Sequence, residues 1–176
     1  MARSFLRGEV LPSHAPITAR LGAVSAPYRD TEIGKFVKIG TVDSQHVLCA
    51  VGDTIDGYIV AVEAATSAGF GIGSVQRNDA KYAIADGSQA AGTGVLAIGD
   101  FVVAGTPSAL GTALPNTHAR VRRATIQPGV TVPASFADVA SHLAMVPFLW
   151  RVASLGAAGT GAVGTTVLIE RVAAPV

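Results

Sequence analysis

The chain has 176 residues, the length of one ordinary domain with a single core and short for two full domains. Residues in AVILMFWYC make up 49% and charged residues only 14%, against roughly 25% charged in an average soluble domain, which excludes a disordered chain. With 13 Lys and Arg against 12 Asp and Glu the net charge is +1, so no overall field gathers nucleic acid or an anionic membrane, and neither is expected as a direct partner. Sparse charge also removes the repulsion that holds soluble copies apart, and so points to a subunit packed against others.

A lone Cys49 excludes a disulfide framework within the chain. The opening MARSFLRGEVLPSHAP has positive residues but no continuous apolar stretch of the secretory kind, and apolar runs such as Leu143–Trp150 are far too short for a membrane span. A soluble, non-secreted protein is expected.

Residues 1–30 contain Pro12, Pro16 and Pro27 with Arg3, Arg7, Arg20 and Arg29. Proline fixes φ and removes a donor, so this stretch reads as an extended N-terminal arm rather than a helix or central strand. Its apolar content, including Phe5, Leu6 and Tyr28, exceeds what a solvated tail needs and suits an arm laid on a neighbour, with a frayed terminus as the alternative.

From residue 31 to 176 the expectation is a β-rich body. Short β-branched runs, among them IGKFVKIG, HVLCAVGD, GYIVAVEAA, KYAIAD and GVLAIGDFVVAG, are broken every several residues by Gly and Asp. That spacing belongs to an antiparallel β-barrel or a β-sandwich of jelly-roll type, not to alternating βαβ units. The phrase Val51-Gly52-Asp53 is echoed at Ile98-Gly99-Asp100, each a tight-turn signal before a strand. Residues 119–127 alternate as one strand until Arg123 breaks the pattern. Pro133 followed by Ser135-Phe136-Ala137-Asp138 resembles a capping box and predicts one short helix ending before Pro147. Phe148–Leu155 and residues 165–172 then read as a closing strand pair joined by the Gly/Ala-rich segment 156–164.

Chemistry is thinly represented. Gly159-Thr160-Gly161-Ala162-Val163-Gly164 is a literal GxGxxG, but a strand-like run follows it instead of a helix, and only twelve residues remain, so it reads as a hairpin loop. Histidines 14, 46, 118 and 142 lack the i, i+2 or i, i+4 spacing of metal ligands, and Cys49 has no Cys partner, so no metal or other cofactor is expected. No Gly-x-Ser-x-Gly elbow occurs, and no catalytic residue is assigned. Asp53 and Asp56 bracket a turn before Tyr58, a faint likeness to the Asp and Tyr with which trimeric all-β dUTPases hold deoxyuridine; the spacing is shorter here, and the phosphate segment and glycine-rich arm of those enzymes are missing. Arg120, Arg122 and Arg123 form the only local charge cluster, without interleaved aromatics for nucleic acid. Only three of the thirteen cations are lysines, a skew toward arginine that fits a protein interface.

The order GKFVKIG, VGDTIDGYIVAVE, GFGIGSVQR, IGDFVVAG, FLWRVASL and a closing glycine-rich loop with TTVLIERV resembles the capsid decoration, or cement, proteins of tailed bacteriophages over most of residues 33–172. The resemblance implies a non-enzymatic structural protein on the outer surface of the virion's filled head. There it would clamp neighbouring major capsid subunits as a homotrimer or homodimer and use a terminal arm. Arg3, Phe5, Arg7 and Tyr28 in the arm, with Arg120, Arg122 and Arg123, are the expected capsid contacts. A nucleotide hydrolase of the dUTPase kind and a tail-associated structural module are the alternative readings.

Overall fold

A computed structural model describes residues 16–23, 26–40, 45–63, 71–77, 79–86, 95–105, 119–124 and 148–173. The protein is mainly β. Its strands are β1 (Ile17–Ala23), β2 (Ala26–Pro27), β3 (Phe36–Ile39), β4 (His46–Leu48), β5 (Gly57–Glu63), β6 (Gly71–Gln76), β7 (Lys81–Ala85), β8 (Phe101–Ala104), β9 (Ala119–Arg123), β10 (Phe148–Leu155) and β11 (Thr166–Ala173). The one helical element among the described residues is a single 3-10 turn, Asp30–Glu32. The helix expected after Pro133 lies outside the described residues.

The strands form two closed rings. In the first half the order is β2-β1-β4-β3-β5-β6, and an additional β1–β6 pairing closes five of these strands on themselves, with β2 left at the side. The second half is a closed barrel, β10-β11-β7-β9-β8. Of the expected architectures the barrel is therefore the one observed, and it occurs twice.

The two rings repeat one plan. Taken in chain order, β1, β3, β4, β5 and β6 correspond to β7, β8, β9, β10 and β11, and every pairing in one ring has its counterpart in the other, including the single parallel contact, β1 with β4 and β7 with β9. Registers agree as well: Phe36 faces Tyr58 and Val37 faces Gly57, as Phe101 faces Arg151 and Val102 faces Trp150. Leu21 faces His46 as Ala85 faces Val121. Even the irregularity is shared, because β5 bulges between Ile59 and Ala61 against β6 and β10 bulges between Val152 and Ser154 against β11. On this register Ile33-Gly34-Lys35-Phe36-Val37-Lys38-Ile39-Gly40 aligns with Ile98-Gly99-Asp100-Phe101-Val102-Val103-Ala104-Gly105, with Ile, Gly, Phe, Val and Gly shared at five of eight positions.

Side chains alternate across a strand, so a fixed register fixes which ones fill each ring. Leu21, Val37, Ile59 and Val75 make the first core, and their counterparts Ala85, Val102, Val152 and Ile169 belong to the second. Volume is traded between the copies. A Cβ on Gly73 would strike the Ala61 carbonyl and the Leu21 side chain, whereas the equivalent positions of the second ring hold Val167 and the smaller Ala85. One core was expected from the length; two main cores form because each ring closes around its own five strands.

Within residues 1–30, read as an extended arm, the described part contains a strand. Ile17–Ala23 is an integral strand, paired with β6 from Ile17 opposite Val75 to Leu21 opposite Gly71, and Leu21 is fully buried. Pro16 immediately precedes β1 and Pro27 lies in the two-residue strand β2 opposite Gly22, so no proline falls within β1 itself. Residues 1–15, with Arg3, Phe5 and Arg7, lie outside the described residues.

Four turns recur where strands enter the rings. In Glu32–Lys35, Ala50–Asp53, Ala97–Asp100 and Ala162–Thr165 the fourth N–H donates to the first carbonyl, and the third residue is a glycine with φ between 82° and 92°. This is the positive φ of a type II turn. Each glycine N–H then donates to a buried strand residue, Ile59, Ala104, Val152 and Ala85 in that order, and the N–H of that residue donates back to the carbonyl after the glycine. Nothing lies within 4 Å of a Cβ built on Gly52, Gly99 or Gly164. Alanine at each of the three is therefore expected to lose about 1–2 kcal/mol from backbone strain alone, and asparagine less. Urea unfolding should give three similar losses; a much larger one at any site would show a packing role that the open space does not contain.

Candidate interaction surface

The structure distributes the expected contact residues in two places. Tyr28 is half-buried beside the first core, where its hydroxyl accepts the Leu48 N–H at 2.7 Å. Burial, the larger influence, raises its pKa against the opposing effect of that amide. Arg120 and Arg122 flank the buried Val121 on β9, and Arg123 lies 3.0 Å from Asp100 through Nη2. All three arginines are half-buried, so the triplet is not an open basic stripe. Arg123 departs from the alternation because it closes on Asp100, whose other carboxylate oxygen accepts the Ala97 N–H of the turn. No hydrogen bond or ion pair among the described residues joins this group to Tyr28.

The residues that first suggested an enzyme are occupied with structure. Asp53 accepts the Ala50 N–H at 2.6 Å and pairs with Lys38 at 2.7 Å. Asp56 accepts from His46 Nε2 at 2.8 Å and from Arg77 through both Nε and Nη2, at 3.2 and 2.6 Å, with Arg171 of the second ring 3.9 Å away. Tyr58 stands edge-on to Trp150 with 6.4 Å between ring centres, and the Lys81 ammonium sits 4.2 Å over its ring. Burial pushes Lys81 down to about 8, and burial together with the Asp79 charge raises Tyr58. Cys49 packs against the second core, and burial with nearby carboxylates pushes its thiol up to about 12, far from a nucleophile's range.

These groups form the seam between the rings. Phe36 and Tyr58, paired on the outer face of the first ring, pack into the second core with Ile55. Trp150 donates its indole N–H to the Ile55 carbonyl at 3.1 Å, and Arg171 donates to the Arg77 carbonyl at 3.3 Å. His46, only 5% exposed, and Asp56 were legible as single residues, but their meeting with Arg77 and Arg171 needs contacts between segments up to 125 positions apart, from residue 46 to residue 171.

Several large apolar side chains remain exposed. Val51, Ile98 and Val163, at 44%, 64% and 59% exposure, occupy the second position of three of the four type II turns. The repeated phrase Ala-(Val/Ile)-Gly-(Asp/Thr) was the available signal. In the fourth turn Ile33 instead packs against the first core beside Tyr28. Tyr82, Ser154 and Thr166 line a shallow groove of about 830 Å³ that runs up to the Val163 turn at Gly164. The GxGxxG segment is structural: Gly161 bridges to Leu96, and a side chain there would strike the Leu96 carbonyl. Among the described residues no three of His, Cys, Asp and Glu gather as a metal cluster, and no helix is long and apolar enough to cross a membrane. Comparisons with family models, curated proteins and solved structures find no match to this chain.

Asp56 yields the sharpest test of the seam. Burial acts to raise its pKa, but hydrogen bonds and charge from His46 and Arg77 outweigh it, and the net value is lowered. A lowered folded-state value gives stability that is complete above the unfolded carboxylate pKa of about 3.9 and is lost as pH falls through the folded one. Asp56→Asn should cost about 3 kcal/mol at neutral pH, since it leaves partly buried cations without their anion. Its stability should also fall less steeply than the parent's between pH 5 and pH 3 in urea titrations (about the range over which such a carboxylate protonates); parallel curves would remove Asp56 from the seam's energetics.

Proposed function

We propose that the protein is a structural virion component that binds the outer surface of an expanded bacteriophage head and cements neighbouring major capsid subunits. The observation that carries this reading is the division of its side chains. Asp53, Asp56 and Asp100 face cations inside the fold, while β-branched residues on three identically built turns stand in solvent. Exposed apolar side chains on a chain with so little charge mark a protein-binding surface. The resemblance of the β-rich phrases to decoration proteins supports the same reading.

Mechanistically, a protein that binds only the expanded lattice stabilises that state in proportion to its affinity and copy number. Many modest contacts act together, and assembly as a trimer or dimer multiplies them. The proposed contact set shifts from the one read in the sequence: Tyr28 and Arg123 are engaged within the fold, so the turn residues Ile98 and Val163 take their place beside Arg120 and Arg122. Arg3, Phe5 and Arg7 stay in the set as arm contacts. Less support falls to the dUTPase-like reading, for which Asp56, held by His46 and Arg77, and Tyr58, packed between Trp150 and Lys81, would have to serve a substrate as well.

The test is addition of the purified chain to expanded heads followed by image reconstruction. Density at icosahedral positions is expected, and Ile98→Asp with Val163→Asp should weaken binding by about tenfold or more without changing thermal unfolding. A chain lacking residues 2–15 leaves β1 whole and should bind more weakly as well. Binding confined to the tail, or none to heads, would overturn the reading.

A further inference from the structure

In the second ring β7, β11 and β10 lie side by side, and side chains that alternate outward bring Tyr82, Thr166 and Ser154 onto one face. They line the groove of about 830 Å³ together with Leu155, residues 156–158 and the corner at Gly164 and Thr165. Tyr82 is 54% exposed, while Ser154 and Thr166 are half-buried. The glycine-rich rim is tied down. The Gly156 N–H donates to the Thr166 carbonyl at 2.8 Å, the same carbonyl that a Cβ on Gly156 would strike. The Thr165 hydroxyl reaches the Thr160 and Ala162 carbonyls at 2.8 and 2.7 Å. No residue lining the groove is charged.

We infer that this groove binds a neutral oligosaccharide, with the Tyr82 ring stacked on the C–H face of one hexopyranose and the Ser154 and Thr166 hydroxyls bonded to its hydroxyl edge. A pyranose joins an apolar face to hydroxyls that both donate and accept, and an exposed aromatic beside Ser and Thr hydroxyls matches both halves. Among the described residues the hydroxyls of Ser154 and Thr166 take no hydrogen-bond partner, so their capacity is unused where they line the groove. The lack of cations separates this ligand from its rivals. A nucleic-acid strand would stack on Tyr82 as well, but its phosphates, like the sulfates or carboxylates of an acidic glycan, call for positive charge that the lining lacks. A peptide added as a strand needs an open sheet edge, and β7, β11 and β10 have both edges paired in the closed barrel. The first ring is an internal comparison: its matching positions are Thr18, Ile72 and Ala61, so the plan of the ring does not require an aromatic there. The groove uses none of the residues assigned to head binding, and its role stands or falls apart from that reading.

The test is titration of the purified chain, followed by amide NMR, with cellotetraose, maltotetraose and mannotetraose as neutral probes and a heparin tetrasaccharide as the anionic comparison. At least one neutral probe should saturate the protein, with shifts gathered at Tyr82, Ser154 and residues 156–158 and 164–166, while the heparin fragment leaves the spectrum unchanged. Tyr82→Ala should weaken binding about tenfold and Tyr82→Phe, which keeps the stacking face, by no more than about threefold. Ser154→Ala combined with Thr166→Val should lose about tenfold through the missing hydrogen bonds. Thr18→Ala, at the position of the first ring that matches Tyr82, should bind like the parent. Because the Tyr82 ring is largely in solvent, thermal unfolding of Tyr82→Ala should match the parent's and show that lost binding is not lost folding. The inference is overturned if no neutral probe binds, if Tyr82→Ala binds as tightly as the parent, or if the heparin fragment binds as tightly as the best neutral probe.

Discussion

A ring of five strands closes only if its first strand finds its last, and here that closure is the antiparallel pairing of β1 with β6 and of β7 with β11. Most of the architecture follows from it. Closure removes the free edges through which small sheets associate, and it sets the inward positions that become Leu21, Val37, Ile59 and Val75 in one ring and Ala85, Val102, Val152 and Ile169 in the other. Because a one-residue slip would turn every inward side chain outward, the type II turns that fix where a strand begins also fix what the core contains. At Gly52, Gly99 and Gly164 the glycine is needed for backbone conformation, not for space, and an exposed Val or Ile precedes each of these three.

The second consequence is the seam. Two closed barrels have no strand edges to share, so they join through side chains and one reciprocal backbone pair, in which the Gly52 N–H donates to the Ala104 carbonyl and the Ala104 N–H to the Asp53 carbonyl. Gly57 leaves the first ring narrow at a point where a Cβ would strike the Gln76 carbonyl, while its counterpart Trp150 fills the second ring and reaches the Ile55 carbonyl. Divergence at one equivalent position thus supplies the contact that holds the two copies together. Asp56 adds an anion to which cations from both rings converge, and its partly buried setting makes that contact sensitive to loss of the charge in a way that a solvated pair is not.

Legibility in the sequence followed the range of the interactions. The closing pair was readable because its signal is local: alternating residues on both sides of a glycine-rich loop give β10 and β11 with bounds close to those expected. The Gly-Asp echo was readable as a turn, since Asp53 and Asp100 each accept the N–H three residues back. Its deeper meaning was not, because the fold aligns Ile98–Gly105 with Ile33–Gly40 and not with the segment at Val51. Equivalent core positions hold Leu or Ala, Gly or Trp, and such exchanges conserve volume within a ring while erasing similarity between rings. Proline misled at the N-terminal segment, where its position outside β1 matters more than its number.

The same reasoning bears on why a duplicated barrel would stay in one chain. A single ring of this size has a core of only a few large side chains, and small domains bury too little surface to be comfortably stable. Fusing two rings lets Phe36 and Tyr58 of one complete the core of the other, so part of each ring's outer face becomes interior. The faces not spent on that seam are left over in two copies, each with its bulge at the same step of the equivalent strand. A chain stabilised by pairing its own halves therefore carries its remaining surfaces twice.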